Sequence, residues 1–481
     1  MMTLNEFKSY LQKGLGRAIL LLRQEPDKEP FRQAVWNHAI HDPRYDRQCN
    51  ASRGRYIKDL FDCFPDGDVM LSELLHVYGE GNADYEELWY YINNLKEMIE
   101  DRTEGADTAL DSIYRVLLNE LLTLPNPVTN GCDHERDNYC FAAETRYRLQ
   151  HDVLEELVRD GIMLLQQSER YDITDFTDFF DNEIRVSKTE EFSAVLAELE
   201  NENPAYKAFL DDYRKESEEL PKRWGPPKED PLIKPTNWRE AVDYVVTRCE
   251  NPSRPVKASL WKNLSEEDKA EIARLAEEES DLSRRCILLS QLRRLGGEVL
   301  QSYPRDPSPL IAELEASTET FPISNKNRYL WEISQLTAEI RHPAVREFAL
   351  RLLPYYEEKY GSISFHRIVK ALINNFQPED ADTLEAFVTS VTDSDMLHDI
   401  GMDILYCEIN PLIPESVLLC LYENNPCSSC RTRAFLSLMA RYGDMTNLPE
   451  PLASIRKEAQ LDCDYGTRLI ARGQSIRKGE A

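Results

Sequence analysis

Val345-Arg346-Glu347-Phe348-Ala349, Leu397-His398-Asp399-Ile400-Gly401, Cys430-Arg431-Thr432-Arg433-Ala434 and Thr467-Arg468-Leu469-Ile470-Ala471 place one signature at the head of four apolar helical stretches. In each, a base is followed three residues later by Ala or Gly. The bases stand 52, 33 and 37 residues apart, and periods of this size mark stacked helical hairpins. Each hairpin has a face that it cannot bury alone, so its neighbours must cover it. The small residue lets two backbones approach. The base, in the first turn, can reach carbonyls of the preceding loop or an acid of the next repeat. Arg346, His398, Arg431 and Arg468 are therefore read as a structural ladder. The expected fold is all-α, an α-solenoid of stacked antiparallel hairpins in two segments.

Working outward, apolar periodicity predicts helices at 4–25, 28–40, 52–63, 68–79, 83–102, 107–123, 144–167, 188–200 and 203–218. Residues 221–235 hold five prolines, which cannot continue a helix and mark an extended connector. The expected domains are thus 1–220, a connector at 221–236, and 237–481. Beyond the connector, helices are expected at 237–249, 266–279, 281–296, 308–317, 326–340, 343–357, 362–375, 379–391, 394–408, 413–424, 427–442 and 448–460. A second echo, Asp46-x2-Cys49-x5-Arg55-Tyr56 against Asp137-x2-Cys140-x5-Arg146-Tyr147, has an offset of 91 and suggests a duplicated unit.

The chain's 481 residues exceed one ordinary core, and 42% apolar with 30% charged side chains is a folded composition. A formal charge of −29 argues against a general phosphate-binding surface and favours neutral or basic partners. Eleven scattered cysteines do not form a disulfide framework. With no secretory leader or spanning segment in the pattern, the expected place is the cytoplasm, away from membranes.

Pro343-Ala-Val-Arg-Glu-Phe-Ala-Leu350 resembles the start of a HEAT-type repeat, which opens with Pro, Val-Arg and a small residue. Tyr45–Arg53, Asn374–Asp380 and Leu421–Arg431 are similar to segments of bacterial HEAT-like proteins. The resemblance implies an α-solenoid with an interaction role and brings no catalytic residues.

The chemistry-bearing clusters are few. Cys427-x-x-Cys430 has metal-like spacing, but structural zinc needs four ligands and no second such pair exists. Cys430 also falls in the register of Val345, so both cysteines are assigned to core packing, with no metal or cofactor. The acids Asp172, Asp175, Asp178 and Asp181 lack an EF-hand's glycine and read as a solvated face. No phosphate-cradling glycine loop is present.

Arg44, Tyr45, Asp46, Arg53, Arg55 and Trp89 are the candidate partner-binding residues, with Tyr90 and Tyr91 joining Trp89 as expected exposed aromatics. The expected function is a non-enzymatic scaffold gripping a protein. A nucleic-acid-binding solenoid, acting through Arg44/Arg47/Arg53/Arg55/Lys58, Arg284/Arg285/Arg293/Arg294 and Arg468/Arg472/Arg477/Lys478, is the first alternative. An enzyme with its site at His41–Arg55 or Cys132–His134 is the second.

Overall fold

The computed structural model describes residues 3–45, 52–123, 134–150, 153–167, 189–202, 237–240, 264–280, 306–317, 328–406, 412–442 and 447–474, with isolated positions between them. Among these the regular elements are helical, with no β-strand. None of the described helices is long and apolar enough to cross a membrane. The chain divides into two compact units, Met1–Asp230 with Asn447–Ala481, and Pro231–Thr446.

The first unit opens with α1 (Leu4–Lys13), started by a reciprocal Thr3–Glu6 capping box. Gly14, at φ 74°, ends it in the left-handed region, so the single helix expected over 4–25 is two, with α2 at Gly16–Gln24. There follow α3 (Glu29–Ile40), α4 (Gly54–Phe61), α5 (Gly67–Glu80), α6 (Tyr85–Glu100), α7 (Ala106–Thr123), α8 (His134–Leu149), α9 (Leu154–Gln167) and α10 (Thr189–Glu202). The helix expected over 144–167 is likewise two, because the polar run Gln150-His-Asp152 interrupts the apolar period.

Helices two apart in sequence pack together: α2 on α4, α4 on α6, α6 on α8, and separately α5 on α7 and α7 on α9. One core runs through them, including Phe7, Leu22, Leu60, Tyr90, Ile113 and Leu157. The duplication suggested by the offset of 91 is corrected here. Tyr56 lies in the first turn of α4 and donates to Leu15 O at 2.9 Å, whereas Tyr147 lies in the last turn of the longer α8.

In the second unit, Ser265 and Asp268 form a capping box at the head of α11 (Glu266–Glu278). Next come α12 (Ser308–Ala316), α13 (Arg328–Glu339), α14 (Pro343–Leu352), α15 (Ile368–Asn374), α16 (Ala381–Ser390), α17 (Ser394–Leu405), α18 (Glu415–Asn424) and α19 (Ser428–Ala440). Pro354 and a 3-10 turn at Leu353–Tyr355 stop α14 short of the expected 357. Here too the packing alternates: α13 on α15, α15 on α17, α17 on α19, and α16 on α18.

The last helices, α20 (Leu452–Ala459) and α21 (Tyr465–Ala471), belong to the first unit rather than to the expected 237–481 domain. α20 packs on α2, burying Leu452 and Ile455. Glu458 pairs with Arg17 at 2.9 Å, and Cys463 N donates to Gly14 O at 2.9 Å. The approach is close enough that a Cβ on Gly16 would lie 1.9 Å from Glu458 O. The expected connector, 221–236, lies outside the described residues, as do 203–206 and the Asp172–Asp181 acids.

Candidate functional site

The four ladder bases take three kinds of partner. Arg346 reaches forward and chelates the buried carboxylate of Asp380 through Nε and Nη2 at 2.8 and 2.6 Å. Arg431 and Arg468 are buried and reach back to loop carbonyls. Arg431 Nη1 lies 3.5 Å from Pro426 O, and Arg468 Nη1 donates to Asp462 O and Cys463 O, both at 2.9 Å. Arg468 Nη2 also pairs with Glu97 at 2.7 Å. The neighbouring Ala349, Gly401, Ala434 and Ala471 are buried.

Of the candidate partner-binding residues, Arg44 and Arg53 are corrections. Arg44 is buried over the Tyr90 ring and forks onto Asp42, and Arg53 is 1% exposed with its guanidinium on Leu11 O and Gln12 O. Both are internal struts withdrawn from any partner. Tyr90 and Tyr91 are also buried, donating to His38 O and Ile40 O, and half-buried Trp89 stacks on Phe141. Tyr45 is exposed, Arg55 is half-buried beside Asp101, and Asp46 lies outside the described residues. The Cys49 and Cys132–Asp133 positions also lie outside them, and His41 is an exposed residue bonded to Glu87.

His398 is the ladder member whose chemistry differs. Asp393 caps α17, accepting from Asp395 N and Met396 N at 3.0 Å, and sets Leu397, Ile400 and Ile404 inward. His398 is thereby left half-buried, facing the head of α19. There Cys427 is the N-cap and Cys430 stands one turn on, on the same face. His398 Nδ1 lies 3.7 Å from Cys430 Sγ, and one donor atom from each of the three residues falls within 4.8 Å of the others.

Two neighbours hold this arrangement. Asn425, fully buried, donates from Nδ2 to Leu397 O at 2.7 Å and accepts from Cys427 N at 3.0 Å, so one amide pins both segments. Gly401 makes room for it, since a Cβ there would lie 2.4 Å from Asn425 Nδ2. Asn375 does the same work at the head of α14, donating to Ile340 O at 2.8 Å and accepting from His342 N at 2.7 Å. Sequence reading missed both asparagines. Their signal was there, because each follows the last turn of a helix inside a segment that carries the HEAT resemblance.

A donor bond from Cys430, with help from His398, holds the Cys427 thiol below the usual thiol range against its burial, while the same bond and burial push Cys430 up. The half-buried His398 also lines a cleft of about 440 Å³ with Tyr356, Tyr360, Arg367, Asp399 and Asp403. In that cleft Arg367, at φ 64°, pairs with buried Asp403 at 2.5 Å, and burial raises the Asp403 carboxyl.

Comparison of the chain with protein-family models, curated proteins and solved structures gives no match. A His with a P-C-x-x-C pair also occurs in zinc deaminases, which place a proton-shuttling Glu two residues after the His. Here that position is Ile400, fully buried, so the cluster lacks that chemistry.

Proposed function

We propose that this protein is a non-enzymatic interaction scaffold built as a HEAT-like α-solenoid, with a protein as its partner. The observation that carries the reading is the alternation of packing: helices two apart in sequence contact each other repeatedly, in each unit taken by itself. Neighbour-on-neighbour burial is how a repeat array stabilises itself while leaving a long surface free for a partner.

Two further features support a protein over a nucleic acid. Arg44, Arg53 and Arg468, members of the expected basic clusters, are buried against carbonyls and carboxylates. Large apolar side chains stand exposed at Tyr355, Tyr406, Leu412 and Leu436, and aromatic residues are enriched in protein interfaces. With −29 formal charges, the scaffold suits a partner carrying a basic rim.

The test is affinity capture with the full chain from its native lysate, followed by cross-linking mass spectrometry. The expected result is a stoichiometric protein cross-linked to the acidic surface and released by salt. Capture of nucleic acid alone, or of no stoichiometric protein, contradicts the proposal.

A further inference from the structure

We propose that His398, Cys427 and Cys430 form a three-donor site for a zinc-class divalent cation that ties α17 to α19. The sequence offers one C-x-x-C pair and no second. The fold supplies the third donor from a helix 29 residues upstream of Cys427. In a tetrahedral site with bonds of about 2.3 Å to sulfur and about 2.0 Å to nitrogen, the S–N edge spans roughly 3.5 Å. The Cys430 Sγ to His398 Nδ1 separation is 3.7 Å, so an ion can enter with little movement of these two side chains.

The donor set selects the metal class. Two thiolates and an imidazole suit zinc, whereas calcium, magnesium and manganese prefer oxygen. Cys427 is the N-cap of α19 and Cys430 stands in its first turn, so one short segment presents both sulfurs on the side of His398. Metal sites also need an outer shell that fixes their ligands. Asn425 meets that need, tying the backbone beside His398 to that of Cys427. Three protein donors leave a tetrahedral ion one position for water or another ligand. This inference stands apart from the scaffold reading, because a site that pins two helices is compatible with any partner.

The experiment uses the full chain, purified reduced and stripped of metal, then titrated with Zn²⁺ and Co²⁺ alone. The expected result is one ion per chain, with the visible bands of tetrahedral Co²⁺ and a thiolate-to-metal charge-transfer band. Cys427→Ser and Cys430→Ser should abolish stoichiometric binding, and Asn425→Ala should weaken it about 10–100-fold. Cys140→Ser, in the other unit, should leave it unchanged. Circular dichroism reports whether each variant folds. Should a cysteine variant fail, the half-buried His398→Gln carries the test, with a loss of affinity larger than that of Asn425→Ala. Failure of the reduced wild-type chain to bind either ion, or a Co²⁺ spectrum without thiolate charge transfer, overturns the proposal. So does binding that survives all three ligand substitutions.

Discussion

Asn425 and Gly401 show at the scale of single residues how two helices are brought together. The asparagine amide bridges two backbones, and the glycine hydrogen is the space in which it lies. Gly401→Ala forces a methyl group against that amide, and overpacking of this kind costs about 1–3 kcal/mol. A urea titration should show a lower midpoint with an unchanged slope. Acid sensitivity belongs to the same scale. Burial, reinforced by Arg367, pushes His366 down to about 4, and burial with Arg53 lowers His38 well below the ordinary value. A histidine kept neutral by folding contributes stability that is present above the unfolded value near 6.5 and lost as pH falls toward the folded one. Stability should therefore decline between about pH 6.5 and 4, and His366→Gln should flatten part of that decline in urea midpoints measured across the range. The small residues and ladder bases were legible in the sequence because their spacing follows the helical period. Their partners were not, since no spacing says whether Arg346 meets Asp380 or Arg468 meets Glu97.

At the scale of elements, helix existence and phase were largely legible and helix ends less so. Gly14 divides α1 from α2 through a backbone conformation that apolar periodicity does not encode. The strongest departure is the C-terminal pair, α20 and α21, which joins the first unit. Its attachment spans more than three hundred residues of sequence, a distance over which local patterning carries no information. Arg468 and Glu97 form an ion pair across that junction, at 3% and 14% side-chain exposure. Removing one partner of a buried pair costs about 3–5 kcal/mol. Arg468→Ala and Glu97→Ala should each lower the thermal midpoint of the chain, and the double variant should lose less than their sum. Additive losses would show that the two residues act independently.

At the scale of the whole molecule, the central claim is that stability passes from each helical hairpin to its neighbours. Leu384→Ala, at a fully buried position of α16, provides the direct test. A truncation of this kind costs about 2–5 kcal/mol. The measurement is native-state amide hydrogen exchange of the full chain, read by mass spectrometry. A neighbour-stacked array predicts faster exchange centred on residues 381–390 and 415–424, with residues 308–316 and the helices of the first unit still protected. A uniform rise across residues 308–440 would instead show one undivided cooperative core and contradict the account.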